Sequence, residues 1–81
     1  MEVRVLFFAQ LRELFGASEK ILEMSEGETV GQVVELLVEG SKNSGVFWSA
    51  IKYAVNEEFS DLSRELKDQD TLVLIPPVSG G

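Results

Sequence analysis

Thr71-Leu72-Val73-Leu74-Ile75 is apolar on both of its alternating faces. Leu72 and Leu74 share one side of a strand, and Val73 and Ile75 share the other. A strand of this kind belongs in the middle of a sheet or under a covering partner. Pro76 and Pro77 follow at once and end the ladder, because neither carries an N–H. Two consecutive prolines also stiffen the chain into an extended, PPII-like rod. Val78, Ser79, Gly80 and Gly81 then taper to an expected free carboxylate. Without a Cβ, Gly80 and Gly81 can thread a narrow channel, and the acyl carbon of Gly81 is open to a nucleophile. The stretch reads as a functional tail, against the alternative of a frayed chain end.

The natural neighbour of that strand lies at the other end of the sequence. Val3-Arg4-Val5-Leu6-Phe7-Phe8 alternates too, with Val3, Val5 and Phe7 assigned to the core and Arg4, Leu6 and Phe8 to the opposite face. Ala9 to Phe15 predicts a short helix, with Leu11, Leu14 and Phe15 at i, i+3 and i+4 and Gly16 as a left-handed cap. Arg12 and Glu13 point outward from it. Glu19 to Met24 predicts a second strand, antiparallel to the first, with Ile21 and Glu23 on opposite faces. Ser25 to Glu28 is a turn.

Thr29 opens the best-defined element. Thr29-Val30-Gly31-Gln32 fits a capping box, and Val30, Val33, Val34 and Leu37 recur as a buried helical stripe that ends at Gly40. Three valines and a glycine are poor helix formers, so the stripe carries the helix. Ser41 to Gly45 is a loop by composition, and Val46 to Ala50 is a short helical turn. The aromatic pair Phe47-Trp48 is read as packing rather than as a ligand stack. Tyr53-Ala54-Val55 is a short strand that turns at Asn56-Glu57, since asparagine tolerates the left-handed region. Phe59 to Leu66 is irregular, anchored by Phe59, Leu62 and Leu66. Lys67 to Asp70 is a polar turn.

Composition narrows the function. A chain of 81 residues is one domain, in which roughly 60% of the unfolded surface can be buried. At 44% hydrophobic residues it can build that core. There is no cysteine and no histidine, which excludes disulfides, thiolate or histidine metal sites and the usual nucleophile triads. A net charge of −7 repels nucleic-acid phosphates and anionic membranes and favours a basic partner surface. Met1-Glu2-Val3-Arg4 is not a signal peptide, and no apolar run reaches membrane-spanning length, so a cytoplasmic location is expected.

The element order predicts an α+β fold: a β-grasp, ubiquitin-like mixed sheet with one main helix packed across it. Residues 1–75 form the domain and residues 76–81 the tail. Leu72 and Leu74 join Val3, Val5 and Phe7 beneath the helix. Leu6, Phe8, Val73 and Ile75 make an apolar patch on the other face, either a docking surface or a surface covered by a loop.

These residues resemble a known family. Val3 to Phe8 followed by Ala9-Gln10-Leu11-Arg12-Glu13, the Ala54-Val55-Asn56 strand end, and Ile75-Pro76-Pro77-Val78-Ser79-Gly80-Gly81 are together similar to the small subunit of molybdopterin synthase. The similarity runs the length of the chain. It departs at Asn56-Glu57, where the family usually has Asn-Gly, and at Asp68-Gln69-Asp70, where it usually has Asp-Gly-Asp. What the resemblance implies is a sulfur carrier with no bound cofactor. An ATP-dependent activating enzyme adenylates Gly81, a sulfur donor displaces AMP to leave a thiocarboxylate, and the tail enters the large synthase subunit. There the sulfur passes to a cyclic pyranopterin to build the molybdopterin dithiolene. The catalytic groups lie on the partners. Gly81 carries the chemistry and Gly80 gives access. Phe8, Arg12, Leu6, Val73, Ile75, Pro76, Pro77, Val78 and Ser79 bind the partners.

Two other functions remain open. One is the sulfur carrier of thiamin thiazole synthesis, whose chains tend to lack the helix read here over Leu11-Arg12-Glu13-Leu14. The other is a ubiquitin-like modifier conjugated to lysines through Gly81.

Overall fold

A computed structural model describes residues 1–40 and 48–77. Five strands form one mixed sheet: β1 (Glu2–Phe7), β2 (Glu19–Glu23), β3 (Lys52–Val55), β4 (Glu58–Ser60) and β5 (Thr71–Ile75). Their order across the sheet is β2-β1-β5-β3-β4. The first and last strands are therefore central neighbours. They run parallel, with Val5 opposite Leu72 and Phe7 opposite Leu74. β2 joins β1 antiparallel, and β3 joins β5 antiparallel.

The main helix, α2 (Val30–Glu39), lies across one face. Its capping box forms: the Thr29 hydroxyl accepts from Gln32 N, and the Gln32 side chain accepts from Thr29 N at 2.8 Å. Two further first-turn N–H groups are satisfied from outside the helix. Val30 N donates to Arg64 O and Gly31 N to Leu62 O, each at 2.9 Å. Helix N–H groups of the first turn have no partner within the helix, so the loop after β4 seals that end. Val30, Val33, Val34 and Leu37 are buried against Val3, Val5, Phe7, Leu72 and Leu74, the core anticipated from the alternation.

The short helix α1 (Gln10–Phe15) follows β1 and is capped by left-handed Gly16. Phe15 stacks on Phe7 with ring centroids 4.5 Å apart, and Trp48 meets Phe15 edge-on at 6.4 Å. Trp48 is thus a packing residue; Ser41 to Phe47 lie outside the described residues.

Four expectations need correction. β1 ends at Phe7, one residue early, because the chain turns away at Phe8. Ile21 and Glu23 share a face, opposite Arg4 and Glu2, as period-two alternation requires. Phe59 lies in β4 and Leu62 in the loop after it, and they are 76% and 49% exposed, so neither is a core anchor. Of the three residues named there only Leu66 is buried.

Both departures from the family's turns have a structural counterpart. Asn56 and Glu57, the two-residue loop of the β3–β4 hairpin, have φ of 49° and 73°, and Gln69 has φ of 71°. Two-residue hairpin loops favour positive φ at both central residues, with glycine at the second. Asn56 is held there by its side chain. Its Nδ2 donates to Asp70 Oδ1 at 2.8 Å, and its Oδ1 accepts from Thr71 N at 3.0 Å. The second Asp70 oxygen accepts from Lys67 N at 2.8 Å, so the buried carboxylate is satisfied. Glu57 and Gln69 are L-residues in glycine's conformation. Glu57→Gly and Gln69→Gly should each stabilise the chain by about 0.5–1 kcal/mol in urea unfolding, strain relief exceeding the entropy gained by the unfolded chain. A loss of stability in both would contradict the backbone described.

Candidate partner-binding face and C-terminal tail

The face of the sheet away from α2 carries one apolar row across four strands. Leu6 on β1 lies opposite Val73 on β5, Val73 opposite Ala54 on β3, and Ala54 opposite Phe59 on β4. Directly opposite residues point to the same side of a sheet. Leu6, Val73 and Ile75 are half-buried, Ala54 is covered, and Phe59 stands 76% exposed at the end of the row. Ile75 is paired with Lys52, which sets an ammonium on the same face. The opposite border is polar: Glu19 lies across from Leu6 and meets Arg4 at 3.6 Å. That ion pair is half exposed and adds little stability.

Parallel pairing of β1 and β5 puts their C-terminal ends side by side. Phe8 follows β1, and Pro76 and Pro77 follow β5. Phe8 is 44% exposed, Pro76 is buried and Pro77 exposed. Arg12 is exposed in the last turn of α1, and among the described residues it makes no ion pair. Leu6, Val73 and Ile75 thus share one face, and Phe8 and the base of the tail lie at one end of it. Val78, Ser79, Gly80 and Gly81 lie outside the described residues.

Phe59 is the residue of this face that the sequence reading missed. The signal was present in the Asn56-Glu57 turn. A two-residue loop pairs Val55 with Glu58 and hence Ala54 with Phe59, which turns Phe59 onto the face of Val73. Tyr53 points to the helix side, and burial pushes its phenol up from the usual value, so it stays neutral. Among the described residues no group of three His, Cys, Asp or Glu side chains could hold a metal ion. No helix among them is long and apolar enough to cross a membrane.

These features define a class: a β-grasp domain that presents an apolar sheet face beside the Pro76-Pro77 end of its last strand. The chain belongs to the ThiS family, which it matches over residues 5–81. The molybdopterin synthase sulfur carrier subunit of Arabidopsis thaliana is 36% identical over 81 residues, covering all of this chain and 84% of the relative. The protein of the same description from Mycobacterium tuberculosis is 30% identical, covering 100% of this chain and 99% of the relative. Among solved structures, small archaeal modifier protein 1 of Haloferax volcanii superposes with a TM-score of 0.83 at 27% identity, covering 100% of both chains. The resemblance to the small-subunit family and the ubiquitin-like β-grasp fold are both sustained.

The exposed aromatics contribute little to folding. Phe59→Ser should lower stability by less than about 1 kcal/mol, because little apolar area leaves the interior, and Phe8→Ser, whose ring is about half buried, by about 1–2 kcal/mol. Phe7→Ala, which empties a buried site, should cost about 3–5 kcal/mol in the same denaturant titration. Equal losses at the three positions would contradict the assignment of faces.

Proposed function

We propose that this chain is the sulfur-carrying small subunit of molybdopterin synthase. The observation that carries the reading is the continuity of the apolar face with the tail. The strands that build the centre of that face, β1 and β5, are the ones that end at Phe8 and at Pro76-Pro77. A partner seated on Leu6, Val73, Ile75 and Phe59 would meet Phe8 and the Pro76-Pro77 base at one end of the same face. The curated relatives are named as carrier subunits of a synthase, which supports a large catalytic subunit as that partner.

The chemistry assigned to Gly81 follows from what a carboxylate can do. It is a poor acyl donor until its oxygen is esterified to AMP. On an activating enzyme the carboxylate would attack the α-phosphorus of ATP and expel pyrophosphate, giving the acyl adenylate. Hydrosulfide, or a donor persulfide whose S–S bond a thiol then cleaves, would attack the acyl carbon and expel AMP, leaving a thiocarboxylate. In the large subunit that sulfur would pass to a cyclic pyranopterin, and two such transfers would complete the dithiolene. The carrier contributes geometry: the rigid Pro76-Pro77 base, the slim Gly80-Gly81 tip, and a docking face that includes Phe8 and Arg12. Removal of the tip should leave folding intact and end the chemistry.

A second reading has a specific observation in its favour, the 0.83 superposition on a small archaeal modifier protein. In that reading the activated Gly81 forms an isopeptide bond with a lysine. The helix α1, seated between β1 and β2, argues against the thiazole-forming carriers.

The test is to incubate the chain with ATP, the activating enzyme and the sulfur donor of the same host. The C-terminal peptide is then weighed. Replacement of one oxygen by sulfur at Gly81 is the expected result, and a chain lacking Gly80 and Gly81 should fold normally and take none. Isopeptide conjugates without a sulfur-bearing Gly81 would overturn the carrier in favour of the modifier.

A further inference from the structure

The corner between β1 and α1 is built on an unusual residue. Ala9 has φ 50° and ψ −129°, the conformation of the first central residue of a turn normally occupied by glycine. Phe8 O accepts from Leu11 N at 3.0 Å and closes that turn, and Ala9 O accepts from Arg12 N at 3.0 Å. An L-residue persists in such a conformation only where the surroundings over-determine it, and such sites concentrate where geometry serves function. Here the surroundings are identified. Phe7 is 1% exposed and tied to Ser18 O through its N–H at 2.9 Å, and Leu11 is fully buried. The chain must pass from one buried anchor to the other through Phe8, Ala9 and Gln10 alone.

Phe8 is the only aromatic in that passage, and the ladder does not hold it, since the last paired residue of β1 is Phe7 opposite Leu74. Its direction is therefore set by the corner. Glycine would fit the corner without strain but would also populate a wide range of neighbouring conformations. An L-alanine has far fewer conformations open to it than glycine, and between the buried Phe7 and Leu11 it is left with this one. We propose that Ala9 is a positioning residue for partner docking. With the corner clamped between buried Phe7 and Leu11, the restricted backbone of Ala9 keeps it in one conformation and so fixes Phe8 beside the Pro76-Pro77 end of β5. A partner then meets Phe8 already placed instead of ordering it on contact. The inference deepens the carrier reading and rests on its docking face.

Three chains are compared with the wild type for affinity to the large synthase subunit of the same host, together with amide hydrogen exchange at Leu11 and Arg12. In Ala9→Gly the fold should be kept, its thermal midpoint unchanged or raised. Exchange at both amides should quicken, and binding should weaken about threefold to tenfold, as expected when one side chain must be ordered on association. A chain made by chemical ligation with D-alanine at position 9 has a rigid residue that prefers positive φ. It should bind at least as tightly as the wild type and exchange no faster. A purely structural role would instead move stability in both chains and leave affinity alone. Phe8→Ala supplies the reference. If Phe8→Ala weakens binding but Ala9→Gly binds like the wild type, the positioning role is overturned and the docking face stands. If Phe8→Ala binds like the wild type, the docking reading itself fails and takes this inference with it.

Discussion

Parallel pairing between β1 and β5 is the constraint on which the rest of the molecule depends. It brings residues 4–7 against residues 71–74, so nearly the whole chain must fold between the two partners. Such a closure is entropically costly and is repaid by burial. Val3, Val5, Phe7, Leu72 and Leu74 are each at most 1% exposed beneath α2. The start of the pair is also clamped by polar contacts. Glu2 N donates to Asp68 Oδ1 at 2.6 Å, Gln69 N to Glu2 O at 2.7 Å, and Arg4 N to Asp70 O at 2.9 Å. The bond from Glu2 holds the Asp68 carboxyl below its ordinary range.

Direction follows from the same pairing. In a parallel pair both strands leave the sheet at the same end. The corner at Phe8-Ala9 and the proline base of the tail are therefore neighbours by construction. The helix consumes one face of the sheet, and the other is left with Leu6, Val73, Ala54 and Phe59 in a row. An antiparallel arrangement of the same two strands would have sent Phe8 to the far end from Pro76. The fold thus makes a carrier's two needs, a grip and a lead into the tail, adjacent features of one surface.

Much of this was legible in the residues. The double apolar alternation of residues 3–8 and 71–75 placed both strands centrally. The Thr29–Gln32 box and the valine stripe located the main helix and its buried face. What escaped was governed by non-local geometry or by turn registers. Phe59 looked like a core anchor because a large apolar residue in a short irregular segment is usually buried. Its exposure follows from the register that the Asn56-Glu57 loop imposes on β4. The end of β1 and the strained Ala9 were hidden because alanine carries no signal for positive φ. Only the burial of Phe7 and Leu11 on either side forces that corner.

The proposed carrier function depends on which face of the sheet meets the partner. The most direct measurement is a methyl NMR titration of the chain with the large synthase subunit. The methyls of Leu6, Val73 and Ile75 should shift or broaden, while Val34, Leu36 and Val38 on α2 stay in place. Perturbation confined to the α2 methyls, with the sheet face unmoved, would contradict the proposed docking surface.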